Sequence, residues 1–183
     1  MATQKYLALL RGINVGGKNI IKMAELKFCF EHHGYENVST YIQSGNVIFE
    51  APNQSADDLS KKLEEMLSTN FNYNASVVVR SADQLKKIVA SAPKSFGTDP
   101  ANFRYYVLFL KGPLTTQQAM KEIPIRQDVD EAWPGAEGVV FHSRVEARAT
   151  QSYLGRLIGM PIYQNITIRN WNTTKKLEAL LEK

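Results

Sequence analysis

A single cysteine, Cys29, stands in 183 residues, which excludes any internal disulfide. No apolar run is long enough to span a bilayer. The opening Met1-Ala2-Thr3-Gln4-Lys5-Tyr6 lacks the apolar core of a signal peptide, so a cytoplasmic protein is expected. Blocks of five or six like charges are missing, which rules out a basic tail. Histidine is scarce as well. His32 and His33 are adjacent, so on a helix they point about 100° apart and cannot share a metal as i and i+4 ligands would. His142 is alone on a strand-like run. No metal site and no cofactor are expected. Paired carboxylates and a Ser-His-Asp order do not stand out, so no catalytic constellation is recognisable and no catalytic residue is assigned.

What is present is an ordinary globular balance, 44% hydrophobic and 22% charged, long enough for one large domain or two small ones. The net charge of +4 is mildly basic, which permits nucleic acid or phosphorylated ligands without requiring them. Cys29 lies within Leu26-Lys27-Phe28-Cys29-Phe30, a helical pattern with no activating partner nearby in sequence, and reads as a buried structural thiol.

Tyr6-Leu7-Ala8-Leu9-Leu10 reads as a buried strand. Met23, Leu26, Phe30 and His33 keep helical spacing up to Gly34. Val38 to Gln43 and Val47-Ile48-Phe49 flank the turn Ser44-Gly45-Asn46 and predict a hairpin. Ser55 caps a helix whose stripe is Leu59, Leu63, Met66 and Leu67, and Ser76 to Val79 is a fourth strand. Asp83 to Val89 is a short helix. The second half repeats the order: a strand at Tyr106 to Leu110, a helix from Thr115 to near Pro124, and a hairpin over Val129 to Trp133 and Gly138 to Ser143. A helix around Ala147 to Ile158, a strand at Asn165 to Ile168, and a last helix capped by Asn172 or Thr173 complete it.

The halves also match residue by residue. Tyr6 to Gly12 aligns with Tyr106 to Gly112 at an offset of 100, and Val77-Val78-Val79-Arg80 with Ile166-Thr167-Ile168-Arg169 at an offset of 89. The same offset of 89 takes Lys86-Lys87-Ile88 to Lys175-Lys176-Leu177, and three matched segments in one order predict a duplicated βαββαβ unit. The expected fold class is therefore α+β: two duplicated ferredoxin-like βαββαβ subdomains with extra C-terminal helices. The expected boundaries are 1-92 for the first subdomain with its Gly-rich loop, 93-103 for a Pro/Gly/Ser-rich linker, and 104-183 for the second. The falling offset places extra residues in the first unit, between its first strand and its hairpin. They form the Gly-rich loop, which the second unit lacks.

Three motifs stand out: Arg11-Gly12-Ile13-Asn14-Val15-Gly16-Gly17-Lys18-Asn19, Tyr41-Ile42-Gln43-Ser44-Gly45-Asn46-Val47-Ile48-Phe49, and Thr167-Ile168-Arg169-Asn170-Trp171-Asn172-Thr173. Together, and over nearly the whole chain, they resemble the signatures of the bacterial domain-of-unknown-function 1697 family. The resemblance implies a cytosolic bacterial protein with two ferredoxin-like subdomains, and it brings no catalytic assignment.

Gly12, Gly17 and Lys18 match G-x-x-x-x-G-K, but Asn19 stands where a P-loop needs Ser or Thr for magnesium. Anion binding without hydrolysis fits better: Arg11 and Lys18 supply charge, Gly16 and Gly17 let backbone approach, and Asn14 and Asn19 donate or accept. The bland alternative is a chain-turning loop in which Asn14 bonds its neighbours. Ser44 and Asn46 join the candidate site from the hairpin turn. Arg169, Asn172 and Thr173 join it from a strand end that opens a helix. The expected function is binding of a small anionic or phosphorylated ligand through the Gly-rich loop between the two subdomains. RNA or single-stranded nucleic acid on the sheet surface is the alternative, with Phe49, Tyr105, Tyr106 and Phe141 as stacking candidates. An enzyme acting on a phosphorylated small molecule is a second alternative. A membrane partner is not expected, and the oligomeric state is not readable.

Overall fold

The computed structural model describes residues 3–183. In chain order they form β1 (Thr3–Leu10), α1 (Met23–His32), β2 (Glu36–Tyr41), β3 (Asn46–Pro52), α2 (Ala56–Phe71), β4 (Val77–Ser81) and α3 (Ala82–Ala90). There follow β5 (Phe103–Leu110), α4 (Thr116–Glu122), β6 (Asp130–Gly135), β7 (Val139–Val145), β8 (Ile166–Asn170) and α5 (Trp171–Leu181). Two four-stranded antiparallel sheets result, ordered β2-β3-β1-β4 and β6-β7-β5-β8. Each is the 4-1-3-2 order of a ferredoxin-like unit, and each fourth strand runs into an additional helix, α3 or α5. Two compact units divide the chain: residues 3–85 with Leu177–Lys183, and Lys86–Lys176. Among the described residues no helix is long and apolar enough to cross a membrane.

The first unit shows why these residues make these elements. Side chains alternate across a strand, so Tyr6, Ala8 and Leu10 face one way, into a core with Leu26, Phe30, Phe49, Leu59 and Leu63. Leu7 and Leu9 face the other way and are also fully buried, which is why β1 reads as an unbroken apolar run instead of alternating with polar residues. Ser55 accepts the amide of Asp58 and caps α2, with Asp57 and Asp58 in the first turn.

The duplication extends to backbone bonds. Leu10 N donates to Gly45 O at 2.8 Å, and Leu110 N to Gly138 O at 2.9 Å. Arg11 N donates to Ser76 O at 2.9 Å, and Lys111 N to Asn165 O at 2.8 Å. The register agrees: Leu7 lies between Ile48 and Arg80, as Val107 lies between Phe141 and Arg169.

Two sequence expectations are corrected. The helix expected around Ala147 to Ile158 is instead three short 3-10 segments, Glu146–Gln151, Leu154–Gly159 and Pro161–Asn165. Gly155 and Gly159 weaken helix propagation, Pro161 removes a backbone donor, and Arg148 is already non-helical at φ −120°. Asn172 and Thr173 do not precede α5; the helix starts at Trp171, so both lie inside its first turn.

Candidate functional site

In the first unit the Gly-rich loop folds back on itself as a small hairpin. Asn14 N donates to Asn19 O and Lys18 N to Val15 O, both at 3.1 Å. Gly16 and Gly17 at the tip have φ of 60° and 74°, the pair of positive values that a type I′ turn demands and that glycine adopts without strain. Asn14 and Asn19 are left-handed too, a conformation asparagine tolerates best among residues bearing a Cβ. Asn14 ties the loop down: its Nδ2 donates to Ile21 O at 3.0 Å and Gln43 O at 2.9 Å, and its Oδ1 accepts Ile21 N at 2.8 Å. Asn19 Nδ2 donates to Gly12 O at 2.9 Å. The two glycines thus sit at a hairpin tip several residues before α1, not at its N-terminus as in a phosphate-binding P-loop. Lys18 is exposed and Arg11 half-buried.

The β2–β3 turn packs against this loop, so the structure brings Ser44 and Asn46 to it. A Cβ on Gly45 would stand 2.7 Å from Ile13 Cδ1 and 2.8 Å from Leu10 Cβ. Asn46 is buried, with Nδ2 donating to Tyr41 O at 2.9 Å and Ser44 Oγ at 3.0 Å.

Arg169, Asn172 and Thr173 belong to the second unit. Arg169 is buried in β8, where Nη1 donates to Ile168 O at 2.9 Å; burial lowers its pKa to about 10, against an opposing pull from Tyr163. Its duplicate, Arg80, likewise donates to the preceding carbonyl, Val79 O, at 2.8 Å. The pair is therefore first a feature of the fold. Asn172 and Thr173 line an open notch of about 550 Å³ where β8 gives way to α5. Arg104, Tyr105, Tyr106 and Arg144 line it as well.

Arg104 and Arg144 are direct cross-strand neighbours, an arrangement of like charges that is unfavourable without a counter-anion. Glu146 supplies one, 3.3 Å from Arg104 Nη2 and 3.9 Å from Arg144 Nη2. Arg144 lies over the Tyr106 ring at 5.6 Å, and its Nε is buried with no hydrogen-bond partner among the described residues. The helix end adds positive potential. Ser81 and Gln84 cap α3 reciprocally, with Asp83 in its first turn. The counterpart of Ser81 is Asn170, which makes no such side-chain cap among the described residues, and the first turn of α5 carries no acid. The two arginines escaped the sequence reading because their meeting depends on strand register; the only local hint was Arg104 beside Tyr105-Tyr106.

Elsewhere, Phe49 and Phe141, two of the stacking candidates, are fully buried, while Tyr105 and Tyr106 are partly exposed. Cys29 is buried, and desolvation raises its thiol pKa, which suits a structural thiol. Its sequence neighbour at i+4, His33, bonds through Nδ1 to Cys29 O at 2.8 Å. His142 lies 3.7 Å from Asp130, both buried.

Residues 3–141 match the family described as "Protein of unknown function (DUF1697)". This chain belongs to that family. Among solved structures, the DUF1697 chain is similar to the conserved bacterial protein SP0830 from Streptococcus pneumoniae, with 30% identity over 98% of this chain and 99% of that one and a TM-score of 0.84. No curated protein matches. The family match takes in the Gly-rich loop and both arms of the β2–β3 hairpin, whereas Arg144 and the start of α5 lie beyond it.

Proposed function

We propose that this DUF1697 protein binds a small phosphorylated ligand in the cytoplasm, and that the second-unit notch receives the phosphate. The observation that carries this reading is the Arg104–Arg144 pair set beside the uncapped start of α5 in a cavity of about 550 Å³. Guanidinium groups and helix-start amides both favour an oxyanion. Glu146 balances one of the two guanidinium charges, so a net positive charge remains for the ligand. Tyr105 and Tyr106 give the notch an aromatic wall, which favours a phosphate ester with a planar or apolar portion over a bare ion. The Gly-rich loop supports the reading less, because the Asn14 and Asn19 side chains are engaged by backbone groups of Ile21, Gln43 and Gly12, leaving Lys18 and the glycine amides for any ligand.

The experiment is titration of the purified protein with inorganic phosphate and a nucleoside monophosphate, read by thermal shift and calorimetry. The monophosphate is expected to raise the melting temperature more than phosphate does. Arg144→Gln is expected to weaken it roughly tenfold, the worth of one charge-assisted hydrogen bond. Unchanged affinity in Arg144→Gln, or no shift with either probe, overturns the proposal.

A further inference from the structure

A second, smaller cavity of about 170 Å³ adjoins the notch, sharing Phe103 and Tyr105 with it, but it holds carboxylates where the notch holds arginines. Ser143 is the register partner of both Tyr105 on β5 and Glu131 on β6, which places those two side chains on one face, on either side of it. Phe103 and Trp133, two residues along from each, share that face. The chain between α3 and β5 then supplies Phe96 and Asp99. Phe96 stands at 68° to the Tyr105 ring and 83° to the Trp133 ring, with centroids 4.9 and 5.9 Å away. Phe103 is tilted at 38° to Tyr105, so four aromatic residues form a corner around the Phe96 ring, with two carboxylates among the lining groups. Asp99 is held in place: its carboxylate accepts from Asn102 N and Nδ2, and its amide donates to Tyr105 Oη at 3.3 Å. Glu131 is exposed and forms no ion pair among the described residues.

From this geometry we propose that the cavity is a site for an organic ammonium group, methylated at nitrogen. Aromatic faces carry negative electrostatic potential and attract a cation close to the ring. A small inorganic cation would have to shed strongly held water to enter an aromatic corner. A methylated ammonium spreads its charge over apolar methyl surface, so the rings and the carboxylates both favour it. A neutral apolar guest would use the rings and gain nothing from Asp99 and Glu131. The group comes from one of two sources: a free quaternary amine, or a methylated lysine of a protein.

The test titrates the full chain with choline, with its uncharged isostere 3,3-dimethylbutan-1-ol, and with a short peptide carrying trimethyllysine, following the tryptophan signals by NMR and fluorescence. Saturable choline binding is expected, with the isostere weaker by about tenfold or more. Glu131→Gln, at an exposed position, is expected to keep the melting temperature and weaken choline at least about threefold. Tighter binding of the peptide than of choline assigns the source to methylated lysine, and the reverse to a free amine. Equal binding of choline and its isostere, or no saturation by choline or peptide at millimolar concentrations, overturns the proposal. Glu131 lines this cavity and Arg144 the notch, so Arg144→Gln is expected to leave choline binding unchanged, which separates this result from that of the anion-binding notch.

Discussion

His142 shows how one residue ties packing to pH. Its ring is fully buried on β7, with neither nitrogen hydrogen-bonded among the described residues. Burial lowers its pKa from 6.5 to about 4; nearby Asp130 pulls the other way and Arg144 adds to the lowering. The carboxylate of Asp130 is already engaged by Ser152 Oγ and the amides of Tyr153 and Arg126. Between pH 6.5 and pH 4 the unfolded chain takes up a proton on this histidine that the folded chain refuses. Stability present above pH 6.5 is therefore lost as the pH falls through that window, by about 3 kcal/mol at its lower end. Denaturant titrations at a series of pH values should show His142→Leu with a shallower acid slope than the parent chain; parallel slopes would disprove the assignment. In the sequence His142 was a solitary histidine, and nothing in its spacing pointed to Asp130, 12 positions earlier. Pairing of β6 with β7 sets them near each other.

At the scale of an element, the Gly-rich loop divides into parts that build it and parts that decorate it. Asn14 makes three side-chain hydrogen bonds and holds a left-handed backbone at φ 53°. Asn14→Ala is expected to cost about 2–3 kcal/mol, from lost hydrogen bonds and a Cβ residue kept left-handed without local support. Lys18→Ala, on an exposed side chain, should stay within about 0.5 kcal/mol. Urea denaturation of both variants decides this. A costly Lys18→Ala would make the lysine a structural tie, and a neutral Asn14→Ala would mean the loop is held by its backbone alone. The loop's position and turn residues were legible in sequence, because glycine and asparagine mark left-handed backbone. Its hairpin form was not, since G-x-x-x-x-G-K spacing is equally compatible with a helix-start phosphate cradle. Helix α4 was legible for a similar local reason, Thr115 and Gln118 forming a reciprocal cap. The helix expected around Ala147 to Ile158 is broken into 3-10 turns, since Gly155 lies inside it and Gly159 and Pro161 lie just beyond.

For the molecule as a whole, a net charge of +4 left nucleic acid open as a partner, and the burial of Phe49 and Phe141 removes half of the aromatic platform considered for it. Fluorescence anisotropy with mixed single-stranded RNA at low salt is expected to show no tight binding; high affinity that falls steeply with salt would restore the RNA reading. The architecture itself was set out in the sequence to an unusual degree. Apolar runs, turn residues and the repeated segments at offsets of 100 and 89 are local or one-dimensional signals, and they sufficed for two ferredoxin-like units with 4-1-3-2 sheets. The family signatures were one-dimensional too. Which polar groups share a cavity was decided only in three dimensions. Arg104 meets Arg144, and Phe96 meets Tyr105 and Trp133, through strand register and the path of a loop across a sheet. Spacing along a chain carries backbone periodicity, but contacts between residues dozens of positions apart arise from packing that no short segment encodes.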